Sequence, residues 1–276
     1  MYVGVDVGGT KTLVAVLDEH GVIKEQAKFP TPKKYEDFLL ELRHALAHFK
    51  TKEFAAGGIG IPGRIDREHH RAVRLGNVKT WGENLSIPGD IEKITNCPIV
   101  MENDAKMAGL SEAMLLKNDY ARVLYVTVST GIGTALIDTC RIDTNFGDAG
   151  GNALLLDYKG KPTPWENFAS GHAIVERFGK RAEDIHDAET WKIIAHDLAK
   201  GFIELIALVE PEVIVIGGSV GTFFDRYGEL LQKEIEKYHV PLVQLPKLLG
   251  AQRPEEAVIY GCYDLAKQEF PHASAH

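Results

Sequence analysis

Apolar positions along the chain fall into short β-type runs alternating with longer stretches of helical period. Tyr2–Val7 and residues 12–17 and 22–29 read as three strands, separated by Gly8-Gly9-Thr10-Lys11 and by Asp18-Glu19-His20-Gly21, a meander with a glycine-rich first turn. Over 35–49, Phe38, Leu39, Leu42, Ala45, Leu46 and Phe49 share one face, the mark of an amphipathic helix. Residues 55–61 form a strand that stops at Pro62-Gly63, a rigid turn bringing backbone close to whatever lies beyond it. From 64 to 87 the pattern is irregular, with Asn77 and Trp81 in a polar loop that either lines a polar ligand or covers the surface. A brief buried strand at 98–101 then leads through Glu102-Asn103-Asp104 into a helix over 105–113.

The second half restarts the same grammar. A strongly apolar strand at 122–128 is followed by Ser129-Thr130-Gly131-Ile132-Gly133-Thr134 and a further strand at 135–137. A long helix spans 189–209, with Trp191, Ile194, Leu198, Phe202, Leu205 and Val209 on its buried stripe. A buried strand at 211–216 runs into Gly217-Gly218-Ser219-Val220-Gly221, a strand–loop–helix junction of the kind that holds ligands in α/β domains. Helices at 223–238 and 255–270 and a frayed tail at 271–276 complete the reading. Two glycine- and hydroxyl-rich turns, one opening each half, point to duplicated α/β domains facing across a ligand cleft, 1–112 and 113–276. The helix near 255–270 is able to pack back on the first.

Composition narrows the function classes. With 45% apolar and 25% charged residues the chain is an ordinary globular one. A net charge of −8 argues against a general nucleic-acid binder. Cys97, Cys140 and Cys262 show no metal-type spacing, no run approaches eighteen apolar residues, and Met1–Asp6 opens directly into a strand. A reduced, cytoplasmic protein without a leader or membrane span is expected.

Three places carry candidate chemistry. Paired glycines at Gly8 and Gly9 either make an ordinary hairpin or let backbone N–H groups wrap a phosphate, with Thr10 and Lys11 adding a hydroxyl and a charge. Asp6, on the strand leading in, suits the divalent ion that accompanies a nucleotide. The spacing is not that of a Walker loop, and a strand rather than a helix follows the glycines, which excludes a Rossmann fingerprint. At the strand-to-helix junction, Asp104 can accept a proton from a substrate hydroxyl while Asn103 fixes its orientation. Both are also favoured helix caps, and the junction alone leaves the two roles open.

The order and spacing of five segments add to this. Asp6-Val7-Gly8-Gly9-Thr10-Lys11-Thr12, Gly60-Ile61-Pro62-Gly63-Arg64-Ile65-Asp66, Glu102-Asn103-Asp104-Ala105, Thr130-Gly131-Ile132-Gly133 and Ile216-Gly217-Gly218-Ser219-Val220 together resemble the ROK family of sugar kinases. The resemblance reaches Ile259-Tyr260-Gly261 near the end of the chain. It implies an actin-like ATPase (ribonuclease H-like) fold of two domains and an ATP- and Mg²⁺-dependent transfer to a hexose hydroxyl, most often the 6-OH. Asp104 would be the base and Asn103 a sugar contact, with Gly63, Asn77, Asp148 and Glu166 along the same substrate. Asp6 and Gly8 to Lys11 would handle phosphates and Mg²⁺, with Thr130, Gly131 and Gly133 opposite, and Gly217 and Gly218 would contact the adenosine.

Two departures stand out. The cysteine-rich zinc segment of many relatives is replaced here by Gly160-Lys161-Pro162-Thr163-Pro164, ahead of a matching Glu166-Asn167-Phe168-Ala169-Ser170-Gly171, so no structural zinc is expected. The family's Gly-Glu-x-Gly-His segment corresponds to Gly147-Asp148-Ala149-Gly150-Gly151, or with a three-residue shift places Gly151 at the Glu and Leu154 at the His. Either way the histidine is gone, which leaves the sugar open. Glu166 is either a sugar contact or a surface carboxylate. The leading expectation is a glucokinase-like hexose kinase. Alternatives are an N-acyl-hexosamine kinase, a polyphosphate-dependent glucokinase and a degenerate sugar or nucleotide binder. A sugar-sensing repressor would carry a helix-turn-helix domain ahead of the first strand. Dimers are common in the family, so the resemblance leaves a homodimer open.

Overall fold

A computed structural model describes residues 1–238, 241–253 and 255–273. The chain forms two compact units, one of residues 1–111 with the segment from Glu255 onward, the other from Glu112 through the preceding stretch.

Unit 1 opens with β1 (Tyr2–Val7), β2 (Lys11–Leu17) and β3 (Ile23–Pro30), followed by α1 (Tyr35–His48) and β4 (Ala56–Ile61). Next come β5 (Gly63–Asp66), β6 (Arg71–Leu75), β7 (Glu83–Leu85), α2 (Ile87–Thr95), β8 (Ile99–Asn103) and α3 (Asp104–Leu116). Its main sheet has the order β3-β2-β1-β4-β8, antiparallel across the meander and parallel from β1 through β4 to β8. Val3, Val5 and Val7 alternate into a core with Phe38, Leu42 and Leu46 of α1 and Ile87 and Ile91 of α2, so apolar area leaves water on that face. Glu36 and Asp37 in the first turn of α1 complement its dipole.

Unit 2 repeats this plan. Its strands are β9 (Arg122–Val128), β10 (Ile132–Asp138), β11 (Arg141–Ile142), β12 (Leu155–Tyr158), β13 (Lys161–Pro164), β14 (Val213–Gly217) and β15 (Lys247–Gly250). The main sheet runs β11-β10-β9-β14-β15, again a meander on one side and parallel strands on the other. Helices α4 (Gly150–Ala153), α5 (Glu166–Ala169), α6 (Gly171–Phe178), α7 (Ala188–Val209), α8 (Gly218–Gly221) and α9 (Phe224–Glu236) surround it. The Asp187 side chain caps α7 by accepting from Thr190 N at 2.8 Å. Trp191 stacks on Tyr227 (5.2 Å) and Trp165 meets Phe202 edge-on (5.4 Å) in the unit's core.

The last helix, α10 (Ala257–Glu269), returns to unit 1 and covers the second face of its sheet. β4 is fully buried with the sequence Ala-Gly-Gly-Ile-Gly-Ile. A Cβ at Gly58 would lie 2.7 Å from Cys262 O and one at Gly60 2.3 Å from Val258 Cγ1, so the bare backbone admits the helix. No helix among the described residues is long and apolar enough to cross a membrane. Of the tail expected to fray, the last three residues lie outside the described ones.

One expectation fails. Residues 64–87 are not an irregular cover: β5, β6 and β7 form a three-stranded antiparallel sheet. Its strands are only four, five and three residues long, and a bulge between Arg64 and Ile65 breaks the period of two. Trp81 is buried rather than set in a polar loop, 4.5 Å from the Phe38 ring and 5.4 Å from Tyr35, with its indole N–H donating to Pro32 O at 2.8 Å. Trp81→Ala should therefore destabilise unit 1 by about 3–5 kcal/mol, read as a lower urea midpoint. Trp81→Phe should recover all but the hydrogen bond, about 1 kcal/mol.

Candidate active site

In unit 1 the candidate residues gather where β1, β4 and β8 end. The turn after β1 closes with Gly8 N donating to Lys11 O at 3.0 Å. It is braced from β3's far end by Thr31, whose hydroxyl donates to Gly8 O at 2.7 Å and whose N–H donates to Thr10 O at 3.0 Å. Thr31 was not legible as a site residue, because it sits between two prolines and only the fold brings it back to the turn. The Asn77 side chain lies against Gly9, leaving 2.8 Å between its Cβ and the place a Gly9 Cβ would take. Asp6, Gly8 to Lys11, Asn77, Gly63, Asn103 and Asp104 all belong to this unit.

At the β8–α3 junction, capping falls to the first of two adjacent polar residues. Asn103 Oδ1 accepts from Ala105 N at 3.0 Å and Lys106 N at 3.3 Å, and its Nδ2 donates to Gly63 O at 3.1 Å. Asn103 is thus the cap of α3, with one amide N–H left over. Asp104 accepts from Ala105 N at 2.8 Å. Burial pushes its carboxyl up to about 6 against the pull of that hydrogen bond. Burial likewise pushes Asp6 up to about 7, assisted by repulsion from Asp104 and opposed by Lys28. A divalent cation beside Asp6 would relieve the repulsion that Asp104 exerts on it. No group of three or more His, Cys, Asp or Glu side chains suited to a metal occurs among the described residues. Such an ion would take most of its ligands from phosphates and water, as Mg²⁺ commonly does.

In unit 2 the turn joining β9 to β10 is closed by Ser129 N donating to Gly131 O at 2.8 Å. Ser129 also ties in two neighbours. Its carbonyl accepts from Gly171 N at 2.6 Å, and its Oγ accepts from Ser219 N at 3.1 Å. This draws Thr130 and Gly131 toward Gly217 and Gly218, the latter with φ +82°. Glu166 is no loose surface carboxylate: its Oε2 accepts from Ile132 N at 2.8 Å, next to Gly131. Gly133 lies on β10, and the stretch bearing Asp148 packs beside it, with Thr134 Oγ1 donating to Gly147 O at 3.4 Å. Gly151 has no room for a side chain, since a Cβ would sit 2.8 Å from Ile132 Cβ.

A cavity of about 510 Å³ opens beside this turn, lined among others by Ser129, Thr130, His172, Arg181, Ser219 and Phe223. Sequence reading missed His172, Arg181 and Phe223. They come from three separate elements, and no spacing links them. The segment 155–164 forms the β12–β13 hairpin, held by Tyr158 stacked on Phe168 at 4.4 Å with Arg177 and Lys200 over the Tyr158 ring.

Comparison with known proteins gives this geometry its class. The chain is 28% identical to the N-acetylmannosamine kinase of Escherichia coli K12, over 96% of this chain and 98% of that one. It is 25% identical to the glucokinase of Streptomyces coelicolor, over 98% of each. A ROK family glucokinase from Streptomyces griseus, solved with glucose and AMPPNP, superposes with a TM-score of 0.79 at 22% identity, covering 97% of this chain and 99% of that one. The architecture is the two-domain actin-like ATPase fold. The ROK family profile matches residues 2–269, and the chain belongs to the ROK family.

The raised carboxyls have a thermodynamic consequence. Between about pH 4 and 7 folded unit 1 holds protons that the unfolded chain has released, so stability falls as pH rises through that window and the penalty is complete above about 7. In Mg²⁺-free buffer, Asp6→Asn should flatten this fall, raising Tm at pH 8 while changing it little at pH 4.

Proposed function

We propose that this chain is an ATP-dependent hexose kinase that transfers the γ-phosphate to the 6-hydroxyl of glucose or a related hexose, with Asp104 as general base. Phosphotransfer to a sugar hydroxyl is the activity of both curated relatives, which the chain matches over nearly its whole length. The observation that carries the residue assignment is Asp104 itself, a carboxyl at the head of α3 with its pKa raised to about 6. A base poised near neutrality is ionised at working pH and still takes a proton readily.

In this reading Asp104 accepts the proton of the sugar 6-hydroxyl while that oxygen attacks the γ-phosphorus and ADP departs. The spare N–H of Asn103 and the backbone near Gly63 orient the sugar ring, with Asp148 and Glu166 as further contacts. The Gly8–Lys11 turn offers backbone N–H groups and the Lys11 charge to phosphate oxygens. Asp6 would hold Mg²⁺ directly or through water, and the ion would neutralise charge on the phosphates. In unit 2, Thr130, Gly131 and Gly133 would take phosphate and Gly217 and Gly218 the nucleoside, which the cavity beside Ser219 has the volume to receive. Binding of AMPPNP, an ATP analogue, by the S. griseus glucokinase supports ATP as donor. Such chemistry is mostly positioning and charge neutralisation, and a supply of ATP suits a cytoplasmic enzyme.

ADP release with Mg-ATP should single out one sugar from glucose, mannose, fructose, allose, N-acetylglucosamine and N-acetylmannosamine. Preference for an acylamino sugar would move the assignment to that class, and turnover only with polyphosphate would change the donor. On the preferred sugar, Asp104→Asn should lower kcat by roughly 10² to 10⁴ and leave sugar affinity nearly intact by calorimetry; unchanged turnover would remove Asp104 from the role. Ser219→Trp should raise the KM for ATP at least tenfold, about 1.4 kcal/mol, by filling the cavity, with little change in the KM for sugar.

A further inference from the structure

The β5–β6 hairpin carries an ion pair that the transfer reaction does not itself use. Arg67, at the start of the hairpin turn, donates from Nε to Glu102 Oε2 and from Nη2 to Glu102 Oε1, each at 2.7 Å. The Glu102 side chain is 4% exposed and that of Arg67 26%. Glu102 Oε1 also accepts from Asn103 N at 2.7 Å. At the opposite end of β5, Gly63 O receives Asn103 Nδ2. The strand is therefore fastened to the β8–α3 junction at both ends, and Asn103 takes part in both fastenings.

The parallel fork is specific to arginine, since a lysine supplies charge without fixing two oxygens. Without Arg67, a buried carboxylate would stand unpaired beside Asn103, and removing one member of such a pair is more disruptive than removing both. We propose that Arg67 is a positioning residue for the sugar-binding edge: by clamping Glu102 it sets Asn103 and the head of α3 against the turn that carries Gly63. This rests on the reading of the Asn103–Asp104 junction as the acceptor site.

The test compares Arg67→Met, Arg67→Lys and the double variant Arg67→Met/Glu102→Gln with the unaltered protein, in two measurements. In the first, amide hydrogen exchange is followed without sugar or nucleotide. Arg67→Met should speed exchange at Asn103 and Ala105 about tenfold or more, while the centre of β1 stays protected. In the second, Arg67→Met should raise the KM for the preferred sugar about tenfold and leave the KM for ATP within about twofold. The double variant should recover most of both losses, and Arg67→Lys should fall between. Unchanged exchange at Asn103 and Ala105 would overturn the proposal. So would a loss of kcat that merely tracks the folded fraction with both KM values unchanged. If the unaltered protein phosphorylates no hexose, the kinase reading fails, and the exchange measurement still decides whether Arg67 organises the junction.

Discussion

Carboxyl groups withdrawn from water at the head of α3 raise the free energy of the folded state, and the parts of unit 1 differ in how fully they offset it. Glu102 is matched completely, by the Arg67 fork and a backbone N–H. Asp104 is offset by backbone N–H groups and Asp6 by the charge of Lys28, with no counter-ion bonded to either among the described residues. The well-matched carboxylate is structural. The poorly matched pair keeps a high proton affinity, which suits the roles proposed for Asp104 as base and Asp6 as a Mg²⁺ contact. Asn103 makes this division possible, because it takes over the capping of α3 that Asp104 would otherwise supply.

Much of the frame was legible because it obeys local rules. The meander strands have dense apolar runs, α1 and α7 have clear stripes, and both glycine-bearing turns announce themselves. The order β3-β2-β1-β4-β8, mirrored by β11-β10-β9-β14-β15, bears out the duplicated grammar of the two halves. The β5–β7 sheet escaped because a bulge and the short length of its strands hide its alternation. The Arg67–Glu102 pair spans 35 positions, beyond any local signal. Sequence could propose both cap and base at the junction; only hydrogen-bond geometry assigns the cap to Asn103.

In unit 2 the same comparison changes what two residues mean. Glu166 offered a choice between sugar contact and surface charge. One of its oxygens instead braces the turn at Ile132, leaving the other for a further partner. Where the unshifted register puts the family's histidine, Gly151 is not a vacant place waiting for a side chain, because Ile132 already fills the space. Sugar selection in this protein therefore has to come from other groups. The β12–β13 hairpin is held by stacked rings and overlying cations instead of ligand-bearing cysteines.

Trp81 also gives the molecule an optical property. Of the three tryptophans, Trp165 and Trp191 belong to unit 2 and Trp81 alone to unit 1. Its indole is bonded to Pro32 O, one residue from the Thr31 that braces the glycine turn. Two adjacent residues, Thr31 and Pro32, link that turn to a buried fluorophore. Unit 1 thus contains its own spectroscopic reporter, distinct from the two tryptophans of unit 2.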